Sequence, residues 1–195
     1  RHILLAHIHG VDREARAIEV AGLTLLLLWR EDTAGEAGTP PPDLARTLRC
    51  GDALIGPDIR DHPAAAALDA REIAALRPLD WPGAFPAIMA RGGFDVVLGN
   101  PPYLSYSGRQ AAALPEPVRR YLSARFAAGG WPAAHTFFIE QAARLLARRR
   151  CAFVVPDQVG HLAGHAPIRA LLARQARLVE VRYWGEGVFA DATTP

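Results

Sequence analysis

The sequence predicts an α/β protein built on a doubly wound, mostly parallel sheet, and three observations carry that prediction. Short apolar runs alternate along the chain with longer segments whose apolar residues recur at helical spacing. One run, Val96 to Leu98, lies between Gly92-Gly93 and Gly99, which suits a strand buried on both faces of a parallel sheet. Near the start, a strand leads through an acidic residue, Asp12, straight into a helix.

The first such strand spans about His7 to Val11. From Arg13 to about Trp29, Ile18, Ala21, Leu25 and Trp29 recur at helical spacing, so a helix follows. Two readings of Asp12 stand side by side. It can cap the helix, or it can accept hydrogen bonds from a ribose diol, as the acidic residue at that position does in dinucleotide-binding sheets. Glu31 to Asp43, rich in Gly, Thr and Pro, is a surface loop. Thr47 to Cys50 is a short strand ending in Gly51 and Asp52, a pair that also makes an ordinary turn. Pro63 to Leu76 is alanine-rich and is expected as one helix started by Asp61 and Pro63. Asp80 to Ile88, with its Trp and Pro residues, connects into the central strand.

That strand ends in Asn100-Pro101-Pro102-Tyr103. Two prolines fix the backbone, remove two N–H donors and push the residue before each into extended conformation. The turn therefore offers the Asn100 amide oxygen beside a bare backbone carbonyl, with the Tyr103 ring just beyond. Such a pocket suits a flat group bearing an NH2. Two acceptors hold the two N–H protons and favour the tetrahedral, nucleophilic form of the nitrogen, so no strong base is needed.

Beyond the turn, Leu104 to Gln110 is small and polar, as in a mobile loop over the pocket. Pro115 to Phe126 is expected as a helix carrying Arg119, Arg120 and Arg125, and Ala134 to Arg150 as a longer one. The cations Arg148, Arg149 and Arg150 suit its C-terminal end and read as a solvated helix end. Cys151 to Val155 is the next buried strand, Pro167 to Ala176 a helix, and Leu178 to Trp184 an alternating strand. His161 and His165 have metal-compatible spacing on a helix. No third ligand or nearby acid joins them, so they read as surface or satisfied histidines.

Composition bounds the partners. The chain of 195 residues is long enough for one domain with a sizeable core. All 22 of its Lys and Arg residues are arginine, yet the net charge is only +2. That is far short of the basic excess of a module held to nucleic acid by phosphate contacts alone, so DNA affinity must come from a local patch or from parts outside this sequence. Cys50 and Cys151 form no CxxC pair and read as small buried residues in a reducing, cytoplasmic compartment. The apolar run Leu23 to Leu28 is too short to span a bilayer, so no membrane is expected.

The motif Asn100-Pro101-Pro102-Tyr103, approached through Phe-Asp-Val-Val-Leu-Gly, resembles that of S-adenosylmethionine-dependent amino-methyltransferases. Asp-Trp-Pro-Gly-Ala-Phe-Pro ahead of it resembles the approach in the DNA adenine-N6 methyltransferases of type IIG restriction–modification and phage-defence systems. The resemblance runs across nearly the whole chain and implies a Rossmann-like methyltransferase fold, incomplete in residues 1–195, with S-adenosylmethionine as methyl donor and double-stranded DNA as substrate.

The resemblance implies catalytic roles for Asn100, Pro101, Pro102 and Tyr103. It implies a ribose contact for Asp12 in His-Gly-Val-Asp and a contact to the cofactor's adenine amino group for Asp52 in Cys-Gly-Asp-Ala-Leu. Phe137 and Phe138 resemble the aromatic region of a motif packed near the cofactor. Gly-Glu-Gly-Val-Phe resembles a late motif whose phenylalanine, here Phe189, presses on the extruded base. Nothing from Arg1 to Asp12 has the form of the family's glycine-rich turn, so an N-terminal extension carrying it is expected. A last strand, a DNA-recognition domain, and a fused or separate nuclease would lie elsewhere.

Three rivals remain. Glutamine methylation of a release factor uses the same Asn-Pro-Pro-Tyr motif, but those enzymes lack the Asp-Trp-Pro lead-in and the Val-Phe loop. A ribosomal-RNA methylase is the second. The third is a non-catalytic subunit that binds DNA or a partner through the same fold, against which the intact Asn100 and Tyr103 argue.

Overall fold

The computed structural model describes residue 3 and residues 7–32, 41–106, 114–126 and 132–184. The chain divides into two compact units, Arg1–Ala90 and Arg91–Pro195. Each holds a pair of parallel strands joined by a helical crossover. A parallel pair needs such a crossover because its strands run the same way and the chain must return to the starting edge. The molecule is thus mixed α/β, with small parallel sheets.

In the first unit, β1 (Gly10–Asp12) pairs with β2 (Leu48–Cys50), and Asp12 lies opposite Cys50. Between them α1 (Ala15–Asp32) carries the chain back. Its predicted inner residues Ile18, Ala21, Leu25 and Trp29 are all half-buried, while Val20, Leu23 and Leu27 are exposed. The core of the unit, Leu54, Ile55, Ile59, Leu79, Phe85 and Ile88, comes mostly from the turns after β2.

The single helix expected over Pro63–Leu76 is two pieces, a 3₁₀ turn at Pro63–Ala65 and α2 at Ala70–Ala75. Asp69 decides the break. Its carboxylate accepts from the N–H groups of Arg71 and Glu72 at 2.7 and 2.8 Å, and Glu72 accepts in return from the Asp69 N–H. This reciprocal cap satisfies the donors of the first turn and starts the helix there, overriding the alanine propensity upstream.

In the second unit, β3 (Phe94–Gly99) pairs with a later strand after a run through α3 (Glu116–Arg125) and α4 (Ala134–Gln141). A π-type turn at Ala142–Leu146 follows α4, and β4 runs from Ala147 to Phe153. The helix expected to reach Arg150 therefore stops early, and Arg148 to Arg150 are strand residues. Pairing with β3 captures them, and Asp95 draws Arg148 and Arg149 to 3.7 and 3.0 Å. After β4, α5 (Ala166–Gln175) packs Ile168 and Leu171 against Ile139 and Val159, with Phe153 and Val155 at the margin.

Three further expectations are corrected. β3 is not buried on both faces, since Val96 and Leu98 are 55% and 75% exposed in a two-stranded sheet. Cys50 and Cys151 are exposed. Leu178–Trp184 forms no strand, because no neighbouring strand among the described residues supplies its ladder hydrogen bonds, and its apolar side chains stand in solvent.

Two glycines bracket β3. Gly93 is buried with φ of +110°, and a Cβ there would collide with the Leu146 carbonyl oxygen where the chain enters β4. Gly93→Ala is expected to cost about 1–3 kcal/mol from the backbone alone, read as a lower urea midpoint. A midpoint equal to that of the unmutated protein would show that the turn accommodates a side chain. At the other end, a Cβ on Gly99 would come within 2.5 Å of the Phe153 ring. A side chain there would have to displace that ring at the point where the chain turns into Asn100.

Candidate functional site

The second unit brings Asn100, Pro101, Pro102 and Tyr103 together at the C-terminal end of β3. The Gly99 carbonyl accepts from the Val154 N–H at 3.1 Å, which holds the strand end in register. Asn100 is exposed, Pro101 buried and Tyr103 half-buried. The Tyr103 hydroxyl donates to Asn100 Oδ1 at 3.3 Å, and partial burial pushes the phenol above its ordinary value. Amide oxygen and aromatic ring therefore sit within one turn of each other on the solvent side.

The residues that follow are held. The Leu104 carbonyl accepts from the Ala134 N–H at 2.9 Å, the Tyr106 N–H donates to the Pro132 carbonyl at 2.9 Å, and Ser105 bridges Ala133 in antiparallel fashion. Leu104 to Tyr106 are thus pinned to the start of α4, which corrects the mobile-loop expectation for these three; residues 107–110 lie outside the described residues. Tyr106 also stacks on Phe137 at 6.1 Å, and Phe126 stacks on its ring at 5.1 Å. Phe137 is accordingly a core residue that anchors the turn.

The same pinning sets His135, in the first turn of α4, edge-to-face with Tyr103 at 6.4 Å and 88°. Behind it lies His165, with ring centroids 5.5 Å apart. Both histidines are at least nine-tenths buried. Among the described residues, neither nitrogen of His135, nor Nδ1 of His165, has a hydrogen-bond partner. Burial, and secondarily the neighbouring His165, push His135 down to about 4. Burial and then the Arg169 guanidinium lower His165.

This corrects the reading of His165 as a surface or satisfied residue, while His161 is exposed. His135 was not legible in the sequence at all. A lone histidine in Ala-His-Thr-Phe-Phe carries no spacing signal, and its neighbours come from distant segments. Among the described residues, no three His, Cys, Asp or Glu side chains converge as a metal site requires.

In the first unit, Asp12 and Asp52 lie at the C-terminal ends of adjacent parallel strands. The Gly51 N–H donates to the Asp12 carbonyl at 2.9 Å, tying the two ends together. Asp12 is exposed, and its Oδ1 accepts from the Glu14 N–H at 2.7 Å, so it holds the chain entering α1. Asp52 is half-buried; Oδ1 accepts from the Leu54 N–H at 2.9 Å, and Oδ2 stands 4.0 Å from Arg13. Burial raises its pKa, against the lowering effect of the Leu54 and Ile55 N–H groups and of Arg13.

Trp81, from the Asp-Trp-Pro segment, donates its indole N–H to the Ala53 carbonyl at 3.0 Å, and its ring lies 5.8 Å from that of buried Phe85. The segment thus braces the turn that carries Asp52. Open strand ends bearing one exposed and one half-buried carboxylate are where parallel sheets take their ligands.

Phe189 and the rest of Gly185–Phe189 lie outside the described residues. Also among the described residues, no helix is long and apolar enough to cross a membrane. No curated protein matches the chain. A family model described as the Eco57I restriction-modification methylase matches residues 6–189, which takes in both strand-end constellations. The chain belongs to the Eco57I restriction-modification methylase family.

Proposed function

We propose that this protein transfers a methyl group from S-adenosylmethionine to N6 of an adenine extruded from duplex DNA, within a restriction–modification or phage-defence system, on a Rossmann-like doubly wound sheet. The observation that carries this reading is the exposed Asn100 amide beside the Tyr103 ring at the end of a parallel strand. Family membership supports DNA as the substrate.

Asn100 Oδ1 and the Pro101 carbonyl accept hydrogen bonds from the two N–H groups of the adenine amino group. That orients the nitrogen lone pair and keeps it from delocalising into the ring. One of the two protons passes to water once the nitrogen carries the methyl. Asn100 Oδ1, which accepts only a long bond from the Tyr103 hydroxyl, has a lone pair for the incoming amine, and the Tyr103 ring takes the base by stacking. Extruding the base costs roughly a few kcal/mol, and stacking returns about 1–3 kcal/mol of it. Phe189 is assigned to press on the extruded base.

Asp12 and Asp52 fit the cofactor by donor chemistry. Two carboxylates at adjacent strand ends suit a ribose diol and an adenine amino group, respectively. The cofactor, when bound, supplies an electrophilic sulfonium methyl.

Incubating the full-length protein with labelled S-adenosylmethionine and, in parallel reactions, duplex DNA, a release factor or ribosomal RNA, followed by digestion, should yield N6-methyladenine from the DNA. Label appearing instead in a release factor or in ribosomal RNA would replace this reading with one of its rivals.

For Tyr103, the stacking account predicts that Phe is tolerated and Ala is not. The hydroxyl bond is long and exposed, so it contributes little. Loss of the ring should raise the KM for DNA about 5- to 150-fold. Equal damage from Phe and Ala would implicate the hydroxyl and a different mechanism.

Asp12→Ala and Asp52→Ala should each weaken cofactor binding without changing which base is methylated. A charge-assisted bond is worth about twice a neutral one, so the expected loss is about tenfold or more in Kd by titration calorimetry. Unchanged affinity in both variants would leave Asp12 as a helix-start residue and Asp52 as a turn residue only.

A further inference from the structure

The two buried histidines beside Tyr103 have no part in the mechanism above. Resting on that reading of the site, we propose that His135 is a positioning residue for the target base: packed edge-to-face on Tyr103 and backed by His165, it fixes the plane of the ring on which the base stacks.

Tyr103 has two holds on its side chain, the 3.3 Å bond from its hydroxyl to Asn100 Oδ1 and the ring contact with His135. The first hold is weak, an exposed 3.3 Å bond to an oxygen that the target amino group also uses. The prolines fix the backbone but not the tyrosine rotamer. What then keeps the ring from turning is His135.

His135 cannot swing away. It sits in the first turn of α4, which the Ser105–Ala133 bridge and the Ala134 N–H to Leu104 bond fasten to the segment after Tyr103. His165 closes it from behind, on the 3₁₀ turn Ala163–His165. Arg169 fixes that turn by donating to the Val159 and Leu162 carbonyls at 2.9 and 2.8 Å.

Burial, then His165, hold the His135 imidazole uncharged. The ionisable groups around it are the Tyr103 hydroxyl, His165, Arg169 acting on His165, and Glu140 further along α4, which is paired with Arg144 at 2.6 Å. With His165 and Arg169 on that side, a proton on His135 would face positive charge without the water that normally carries it. Its pKa of about 4 keeps the ring neutral at physiological pH.

The test uses the full-length protein labelled with 3-fluorotyrosine. The chain has four tyrosines, and the fluorine resonance lost in Tyr103→Phe identifies the one of interest. His135→Leu fills the buried space without an aromatic edge. It should shift the Tyr103 resonance and raise the KM for DNA about 2- to 10-fold, with cofactor Kd unchanged. His135→Phe restores a ring and should return the KM to near the wild-type value. In wild type the Tyr103 resonance should titrate near pH 4, and in His135→Phe it should not.

A Tyr103 resonance and a DNA KM both unmoved by His135→Leu, in a wild type that methylates DNA, would overturn this proposal alone. So would a cofactor affinity that falls in step with the KM, because the role would then be general packing. A wild type that methylates no DNA would sink the reading of the site, and this proposal with it.

Discussion

Asn100→Ala is expected to abolish measurable methyl transfer while leaving S-adenosylmethionine affinity within about twofold of wild type. In the proposed site Asn100 contacts the amino group that is methylated and not the cofactor. Removing its amide leaves a desolvated N–H without an acceptor, which costs about 1–3 kcal/mol in binding. The loss is larger in the transition state, where the nitrogen must be held in line with the methyl.

Stability should hardly move. Asn100 is exposed, and its side-chain contact is one long bond from Tyr103; surface changes of that kind usually stay within about 0.5 kcal/mol. A folded variant with cofactor bound and turnover gone therefore separates chemistry from folding. Normal turnover in this variant would remove the basis of the functional reading.

What could be read from the chain beforehand was local. Val96 to Leu98 between glycines gave a strand, and two prolines after Asn100 gave a rigid turn, because φ restriction and hydrogen-bond loss act on neighbours in sequence. The alternation of strand and helix gave parallel pairing in both units. The end of α4 was not legible. Alanines and arginines favour helix to Arg150, yet pairing with β3 and the ion pairs to Asp95 pull Ala147 onward into a strand, a tertiary effect that overrides the local helix preference.

The cap at Asp69 was written in the sequence as Asp-x-x-Glu, but the alanine-rich stretch obscured it. For the site, the motif residues were legible and their support was not. His135 reaches Tyr103 only because Leu104 to Tyr106 pair with residues 132–134, a contact that no spacing encodes.

Stability should fall as the pH drops from about 6.5 to about 4, and His135 should be a principal cause. In the unfolded chain this imidazole takes up a proton near its ordinary value of 6.5; in the folded chain burial, aided by His165, pushes that down to about 4. Between those values the unfolded state binds more protons, so each proton it gains draws the equilibrium toward unfolding. The contribution is complete above 6.5 and is lost as the pH falls through 4. At about 1.4 kcal/mol per pH unit, the gap is worth at most roughly 3 kcal/mol.

His165 is lowered for the same first reason and adds a smaller loss of the same sign. Asp52 works the other way, because its raised pKa favours the folded state when protonated. Urea denaturation across this pH range on wild type and on His135→Phe isolates the histidine from these neighbours. The variant should show a flatter pH dependence and the larger advantage at the acid end. Parallel curves for the two proteins would mean that His135 holds its proton equally well folded and unfolded, and so is not the sealed support for Tyr103 that its burial describes.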